Sequence, residues 1–405
     1  MKNFILITLF IQILFNFTSC ENLFFIDESV EKIKEKTTIK TFEHLENPIV
    51  VTDNINVNAK FCGLEFLGTK TEMLGVVFTV IDSKTNEIFD WIFYPNTTRV
   101  MTYPISIYEN SEGEKSYYSI FYDKIVCLNP KKTYLEEFEN TINAGYVFES
   151  DYYKGDYIPL ISSGYDKNLQ KQTYIVNSFD VLKKEVTNKQ FSFPTDGIGY
   201  MNSPFPAGDD IYFISHNYDD NNYLLKFDLK KNICYEPFAK FSTERIDSND
   251  EKDTDVCSID VVDENYIICV QNPLGSTINE TEYNIYVYDR KNYASIKTIK
   301  VSNPSYGKAY PYKCLKVDDR FFLILPEEFS SVSHIVEINI ENGSTNYVTK
   351  INFDFYINLF TIDSKIYFPN YYGDNGFEYG YYDVRTNEVS SLIKLNLNDY
   401  LLHSK

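Results

Sequence analysis

Two short stretches near opposite ends of the chain share one pattern, Val80-Ile81-Asp82-Ser83-Lys84-Thr85-Asn86-Glu87 and Tyr382-Asp383-Val384-Arg385-Thr386-Asn387-Glu388. In both, an alternating apolar run ends at an Asp, a short polar turn follows, and a second alternating run begins, which predicts a β-hairpin. The pattern recurs with its turn residue at seven positions, Asp82, Asn129, Asp180, Asp228, Asp289, Asn339 and Asp383. Neighbouring instances stand 44 to 61 residues apart, so a repeat of about 50 residues organises the sequence.

A second marker, a short acidic turn followed at once by a strongly apolar strand, keeps the same phase. It stands about 20 residues ahead of the first marker in five of the units, at Gly155-Asp156, Asp209-Asp210, Asp263-Glu264-Asn265, Asp318-Asp319-Arg320 and Asp363-Ser364-Lys365. Two turns in fixed phase within each unit indicate two hairpins, and therefore four strands in each unit.

A four-stranded twisted sheet has two apolar faces and cannot bury both alone, whereas a ring of such sheets packs each face on a neighbour. We therefore predict an all-β fold, a seven-bladed β-propeller with four-stranded antiparallel blades. Six or eight blades are the alternatives, because the unit around Asn129 is short and irregular. The ring is closed either by residues 37–44 pairing onto the last blade or by Ser390 to Leu395 as its outer strand.

Over roughly 350 of its 405 residues the chain resembles the β-propeller superfamily. The single Trp, Trp91, follows an Asp instead of preceding one, and no Gly-Gly pair occurs, so neither the Trp-Asp nor the kelch blade signature is present. The sialidase and lipoprotein-receptor blade motifs are also missing. The resemblance therefore implies an architecture and no particular activity.

The N-terminus has the pattern of a secretory signal, because Lys2 precedes an apolar run from Phe4 to Phe17 and small residues close it at Thr18, Ser19 and Cys20. The predicted organisation is a signal peptide at 1–20, a lead-in segment at 21–44, the propeller at 45–397 and a C-terminal tail at 398–405. We expect a secreted, extracellular protein without an integral membrane span after signal removal, with lipid anchoring at Cys20 as the alternative.

The charge balance bears on partners, since 58 acidic residues stand against 38 basic ones and give a net charge of −20. No basic stripe interrupts this, so a nucleic acid partner is excluded on electrostatic grounds. The acidic stretch from Asp247 to Asp255 lacks the Gly and the terminal Glu of a calcium loop and is interpreted as a solvated charge run. The four histidines show no metal-ligand spacing. We expect no metal site, and no cofactor is evident.

Cysteines and sequons fit an exported protein. Cys257 and Cys269 stand six residues to either side of Asp263 in the acidic turn Asp263-Glu264-Asn265, which predicts a cross-strand disulfide, with two buried thiols as the alternative. The sequons at Asn96, Asn279 and Asn342 predict N-glycosylation.

Both turn markers fall on one end of the ring, so the longer connections lie at the other end, where binding residues concentrate. Tyr offers rigid apolar area there, and Asn and Asp offer hydrogen bonds. The candidate ligand-binding residues are His216, Tyr218, Asp219, Asp220, Tyr310, Tyr371, Tyr372 and Asp374. No catalytic residue can be nominated, since no Gly-x-Ser-x-Gly element occurs.

The predicted function is an extracellular binding or interaction module for a protein or carbohydrate partner. The alternatives are a secreted carbohydrate-active hydrolase or lyase, and a structural coat or adhesion component. The enzyme alternative predicts carboxylates or a His that converge near the central channel, whereas the binding interpretation predicts an exposed aromatic patch on the long-loop end.

Overall fold

The computed structural model describes residues 38–400 apart from 60–69, 96–105, 122, 141–151, 167–170, 193–199, 217–220, 232, 236, 243, 247–251, 255, 273–281, 306–308, 310–311, 328–329, 331, 353–358, 372–375 and 397–399. For some strand residues beside these gaps only the backbone is described. The predicted signal peptide, 1–20, lies outside the described residues.

The described chain forms thirty strands, and seven successive groups of them make the blades of a β-propeller. The first blade contains β1 (Ile49–Ala59), β2 (Lys70–Asp82) and β3 (Glu87–Pro95). The second contains β4 (Ser106–Glu109), β5 (Lys115–Ile120), β6 (Lys124–Leu128) and β7 (Glu136–Glu139). The third contains β8 (Tyr152–Lys154), β9 (Tyr157–Asp166), β10 (Lys171–Asp180) and β11 (Glu185–Ser192).

The fourth blade contains β12 (Tyr200–Ala207), β13 (Asp210–His216), β14 (Asn221–Asp228), β15 (Ile233–Cys234) and β16 (Ala239–Ser242), and a small hairpin of β17 (Glu244–Ile246) and β18 (Lys252–Thr254) follows it. The fifth contains β19 (Val256–Val262), β20 (Tyr266–Asn272), β21 (Glu282–Asp289) and β22 (Ser295–Ser302). The sixth contains β23 (Lys313–Val317), β24 (Arg320–Pro326), β25 (Val332–Ile338) and β26 (Thr345–Asn352). The seventh contains β27 (Phe360–Ile362), β28 (Lys365–Tyr371), β29 (Gly376–Asp383) and β30 (Glu388–Asn396).

The seven-bladed propeller with four-stranded antiparallel blades is thus confirmed. The unit around Asn129 forms a complete blade, β4 to β7, so the six- and eight-bladed alternatives are wrong. Two local departures from regularity occur. The edge of the fourth blade is divided between β15 and β16, which both pair with β14, and β8 pairs in parallel with β4, linking the third blade to the second.

The first marker is a hydrogen-bonded turn at every one of its seven positions. The side-chain oxygen of the Asp or Asn accepts a backbone N–H two or three residues further on, at 2.7 to 3.3 Å. This is the local bond that Asn and Asp make best, which explains the residue choice. In five of these turns the fourth residue after the marker has a left-handed backbone, at Asn86, Lys184, Tyr293, Gly343 and Asn387.

The second marker ties neighbouring blades together at the same end of the ring. The Asp156 carboxylate accepts the Ser111 N–H at 2.8 Å, and that of Asp318 accepts the Ser364 hydroxyl at 2.8 Å. The Asp263 carboxylate accepts the Lys316 ammonium at 2.8 Å. Burial pushes the pKa of Asp263 upward, but the hydrogen bonds from Lys316 and from the Tyr266 and Asn265 amides outweigh it and hold that pKa below its usual value.

The hydrophobic core is divided into clusters that each lie between neighbouring blades. Val287 of the fifth blade and Leu323 of the sixth share one cluster, and Ile335 of the sixth and Ile366 of the seventh share another, all of them fully buried. The second strand of each unit is therefore apolar on both sides, as the uninterrupted run from Phe321 to Leu325 predicts.

The ring closes by side-chain packing. All four strands of the seventh blade come from the C-terminal part of the chain, and β30 is its outer strand, so the interpretation of Ser390 to Leu395 is confirmed. Pairing of residues 37–44 onto the last blade is wrong, because the Ile39 and Phe42 amides donate to carbonyls of Thr133 and Pro130 in the second blade.

At this seam, buried residues of the first and seventh blades form one cluster, and the buried Tyr400 joins it. Its members are Ile49, Val51, Val77, Ile81, Trp91, Phe93, Phe360, Tyr367, Tyr379 and Tyr400. The rings of Trp91 and Tyr400 lie 5.9 Å apart. The Asn47 amide donates to the Asp363 carboxylate at 2.7 Å across the same seam. The closure of the ring therefore depends on the burial of these apolar side chains, and the Asn47–Asp363 hydrogen bond adds to it.

The predicted Cys257–Cys269 disulfide is wrong, because Cys269 is a free thiol that is completely buried. Val262 lies opposite Ile267, so the hairpin is centred between Glu264 and Asn265 and not at Asp263, and Cys269 lies opposite Ile259 and Cys257 opposite Gln271. Burial, and after it the nearby Asp260 carboxylate, raises the pKa of the Cys269 thiol. Cys127 and Cys314 are free thiols as well.

The turn chemistry predicts a measurable loss of stability. The substitution Asp289→Ala removes the acceptor for the Lys291 and Asn292 amides and should lower the free energy of unfolding by about 1 kcal/mol. Asp289→Asn keeps the oxygen and should lose clearly less. Urea unfolding measures both, and equal losses for Ala and Asn would contradict the assigned role of the side chain.

The seam predicts a larger effect at the far C-terminus. Tyr400→Ala empties a fully buried ring position against Trp91, and we expect a loss of about 3–5 kcal/mol in the free energy of unfolding. Tyr134, which is 55% exposed, provides the control, since Tyr134→Ala should change the value by less than about 0.5 kcal/mol. If the two variants unfold at the same urea concentration, Tyr400 does not help to close the ring.

Candidate functional site

The two ends of the ring differ in kind. Because neighbouring strands are antiparallel, the two marker turns of each blade lie at one end, and the remaining connections emerge at the other. We call the second end the loop face. It carries the connections β24–β25 and β22–β23, among others.

The structure places two of the predicted ligand-binding residues at the loop face through their backbone. His216 is the last residue of β13, and Tyr371 is the last residue of β28. Tyr218, Asp219, Asp220, Tyr310, Tyr372 and Asp374 lie outside the described residues. Of the predicted glycosylation sites, Asn342 is exposed in the β25–β26 turn at the opposite end, and Asn96 and Asn279 lie outside the described residues. Binding and glycosylation at these positions stay predictions.

Three polar side chains meet at the loop face between the fifth and sixth blades. Oε1 of Glu327 lies 2.5 Å from Oγ of Ser305 and 2.8 Å from Nε2 of His334. The third side of the triangle, from Ser305 Oγ to His334 Nε2, is 2.7 Å. The side chain of His334 is 9% exposed and that of Glu327 is 23% exposed. The cluster is therefore largely shielded but reachable from solvent.

The blade-to-blade packing determines where each of the three residues lies. His334 is on β25, on the same face as Val336, whose side chain packs in the cluster shared with the fifth blade. Glu327 follows β24 directly, and its N–H donates to the Val332 carbonyl at 2.8 Å. Ser305 lies in the connection from β22 to β23, which thus brings it against the sixth blade.

Further hydrogen bonds hold the loop that carries Ser305. The Asn303 side chain accepts the Ser305 N–H at 2.9 Å and donates to the Ala309 carbonyl at 2.7 Å and to the Tyr283 hydroxyl at 2.9 Å. The Tyr283 hydroxyl also donates to the Ala309 carbonyl. Tyr283 and Ala309 are completely buried. The backbone of Ala309 also forms an antiparallel bridge with that of Glu327, so the loop is held without the side chains of Glu327 and His334.

The protons of the cluster follow from what each group can donate. An ionised carboxylate only accepts, so Glu327 receives hydrogen bonds from the Ser305 hydroxyl and from a protonated Nε2 of His334. Nδ1 of His334 then faces the Tyr347 hydroxyl, 3.4 Å away. Burial, and after it the negative charge of Glu327, raises the pKa of Tyr347, which keeps that phenol protonated.

Sequence reasoning missed this cluster. Ser305 and Glu327 are 29 and 7 residues from His334, with no motif spacing between them, and only the packing of neighbouring blades unites them. One signal was available, since His334 interrupts the apolar strand Val332-Ser333-His334-Ile335-Val336 at a position that faces the neighbouring blade.

The turn end of the ring offers little room for a ligand. A small cavity between the second and third blades is lined by Tyr108, Tyr118, Cys127, Glu136 and Lys184, among others, and has a volume of about 50 Å³, enough for one or two waters. Burial raises the pKa of the Cys127 thiol to about 11. Such a thiol is a poor nucleophile at neutral pH.

The described residues contain neither a candidate metal centre nor a candidate membrane-spanning helix. No His, Cys, Asp or Glu side chains gather there in a group of three or more that could bind a metal ion. No helix in the same part of the chain has the length and apolar character needed to cross a bilayer.

Comparison with known proteins finds likeness in structure alone, because no family model and no curated protein matches the sequence. A puromycin-hydrolyzing peptidase of Mycobacterium tuberculosis aligns with a TM-score of 0.51 at 11% identity, over 90% of this chain and 54% of that one. An acylaminoacyl peptidase of Pyrococcus horikoshii gives 0.50 at 11% over 92% and 54%, and a puromycin hydrolase gives 0.53 at 7% over 90% and 55%. The chain spans about half the length of these structures. At identities this low, the structural likeness shows a shared fold and nothing more.

The function predicted from the sequence is wrong on this comparison. Solved structures that align with about nine-tenths of the chain include two peptidases and a puromycin hydrolase. They are neither extracellular binding modules for protein or carbohydrate, nor carbohydrate-active hydrolases or lyases, nor coat or adhesion components. The prediction relied on the Tyr, Asn and Asp content of the long loops, a composition that the rest of the chain shares and that therefore does not discriminate between functions.

Proposed function

We propose that this chain is a peptidase-type propeller, whose loop face receives a short peptide or an aminoacyl compound bearing the amide bond to be cleaved. The observation that carries the proposal is the alignment of about nine-tenths of the chain with two peptidases and a puromycin hydrolase. Since the chain spans about half the length of those structures, the proposal concerns substrate reception by the ring first.

The loop face suits this role better than the turn end. At the turn end the side chains of both markers are occupied with their own turns and with ties between blades. At the loop face, the partly exposed Glu327 and Ser305 offer hydrogen-bonding groups for an amide. Beside them the ring of Tyr347 is 49% exposed and offers an apolar surface for a side chain or a base.

The charge of the protein also favours such ligands. A net charge of −20 attracts a cationic solute over several ångströms of solvent. Puromycin and unblocked peptides both carry a protonated amine at neutral pH. We therefore expect their association to weaken as salt concentration rises.

Isothermal titration tests the proposal directly, with puromycin and an N-acetylated tripeptide as the two probes. We expect the purified chain to bind at least one of them, and Tyr347→Ala to weaken that binding about tenfold, the usual worth of one aromatic contact. Tyr134→Ala removes an exposed tyrosine from the turn end and should leave the affinity unchanged. Absence of binding by the folded chain, or equal losses in both variants, would overturn the proposal.

A further inference from the structure

We propose that Ser305 is the nucleophile of an acyl-transfer centre built into the propeller, with Glu327 as the base that takes its proton and His334 as the residue that positions Glu327. The inference rests on the proposed function, because its acyl donors are the peptides or aminoacyl compounds received at the loop face. It goes further, because it places the bond-breaking chemistry on the ring's own side chains.

The triangle of distances meets the requirement for an activated hydroxyl. A serine becomes nucleophilic when a base lies within hydrogen-bond reach and a third group orients that base. Oε1 of Glu327 is 2.5 Å from Oγ of Ser305, and Nε2 of His334 holds the same oxygen at 2.8 Å. This differs from a chain of hydroxyl, imidazole and carboxylate, because Nε2 of His334, which lies 2.7 Å from Oγ of Ser305, also contacts the same carboxylate oxygen.

The alternative is that the three residues merely fasten the loops of two blades, and the surrounding contacts argue against it. Asn303, Tyr283 and Ala309 already fix the β22–β23 connection. The backbone bond from Glu327 to Val332 closes the β24–β25 connection. A structural role therefore leaves the nearly buried His334 and its carboxylate partner without a reason to be polar, since polar burial costs free energy that apolar packing avoids.

The reaction balances with water as the only co-reactant. Oγ of Ser305 attacks the carbonyl carbon while its proton passes to Oε1 of Glu327, and the carbonyl π electrons move onto the oxygen. Collapse of this intermediate breaks the C–N bond, and the leaving amine takes the proton from Glu327. Water then attacks the acyl-serine with Glu327 again as base, which releases the acid and restores the Ser305 hydroxyl.

A covalent serine probe tests the inference. The full chain is treated with a fluorophosphonate, and the modified residue is located by mass spectrometry, while turnover is followed with an aminoacyl coumarin amide. We expect the probe on Ser305, no labelling of Ser305→Ala, and full labelling of Ser302→Ala, a nearby exposed serine as control. Glu327→Gln should slow acylation about 100-fold or more.

Two further variants separate chemistry from loss of structure. Ser305→Cys keeps a nucleophile at the site and should react with iodoacetamide faster than Cys127, Cys269 and Cys314, which are buried. His334→Gln can still donate to Glu327 and should retain more of kcat than His334→Leu, with KM similar in both. Labelling that persists in Ser305→Ala, or a folded wild-type chain that takes no probe, would overturn the inference. If such a chain still binds puromycin or the acetylated peptide, the proposed function stands and only the placing of the nucleophile fails.

Discussion

The burial of each blade face against the next blade is the constraint on which the rest of this structure depends. Among the described residues the apolar clusters lie between blades, and one of them forms the seam between the first and the seventh. Among the described residues, Trp91, Tyr400 and their neighbours join this seam. The free energy of unfolding of the whole ring therefore depends on the packing of Tyr400, five positions before the last residue of the sequence given.

The same packing produces the candidate site. The face of β25 that carries Val336 into the shared cluster also presents His334 toward the fifth blade. The connection leaving that blade brings Ser305 to it. A polar triangle at the margin of an apolar interface has little room to relax, and such rigidity is what a reacting group needs. Fold stability and site geometry thus depend on the same contacts.

Much of the architecture could be predicted from the sequence because its signals are local. The seven Asp or Asn turns depend on hydrogen bonds that span at most three residues. The second strand of each blade is recognised from its own run of apolar side chains. Both features can therefore be read from short stretches of the sequence. The packing at the seam could not be predicted, because it depends on a contact between Trp91 and Tyr400, which stand 309 positions apart in the sequence. The predicted cysteine pairing was wrong because the hairpin is centred between Glu264 and Asn265 and not at Asp263, which the sequence pattern does not reveal.

The candidate site was harder still to predict, since Ser305, Glu327 and His334 belong to different connections and strands and carry no common spacing. The central claim is that Glu327 is the acceptor in this cluster, and nitrogen NMR of the imidazole of His334 tests it most directly. With four histidines in the chain, the resonance can be assigned through a His334→Asn variant. The account predicts a proton on Nε2 and an unprotonated Nδ1 in the neutral ring. A proton on Nδ1 with a bare Nε2 facing Ser305 would contradict it.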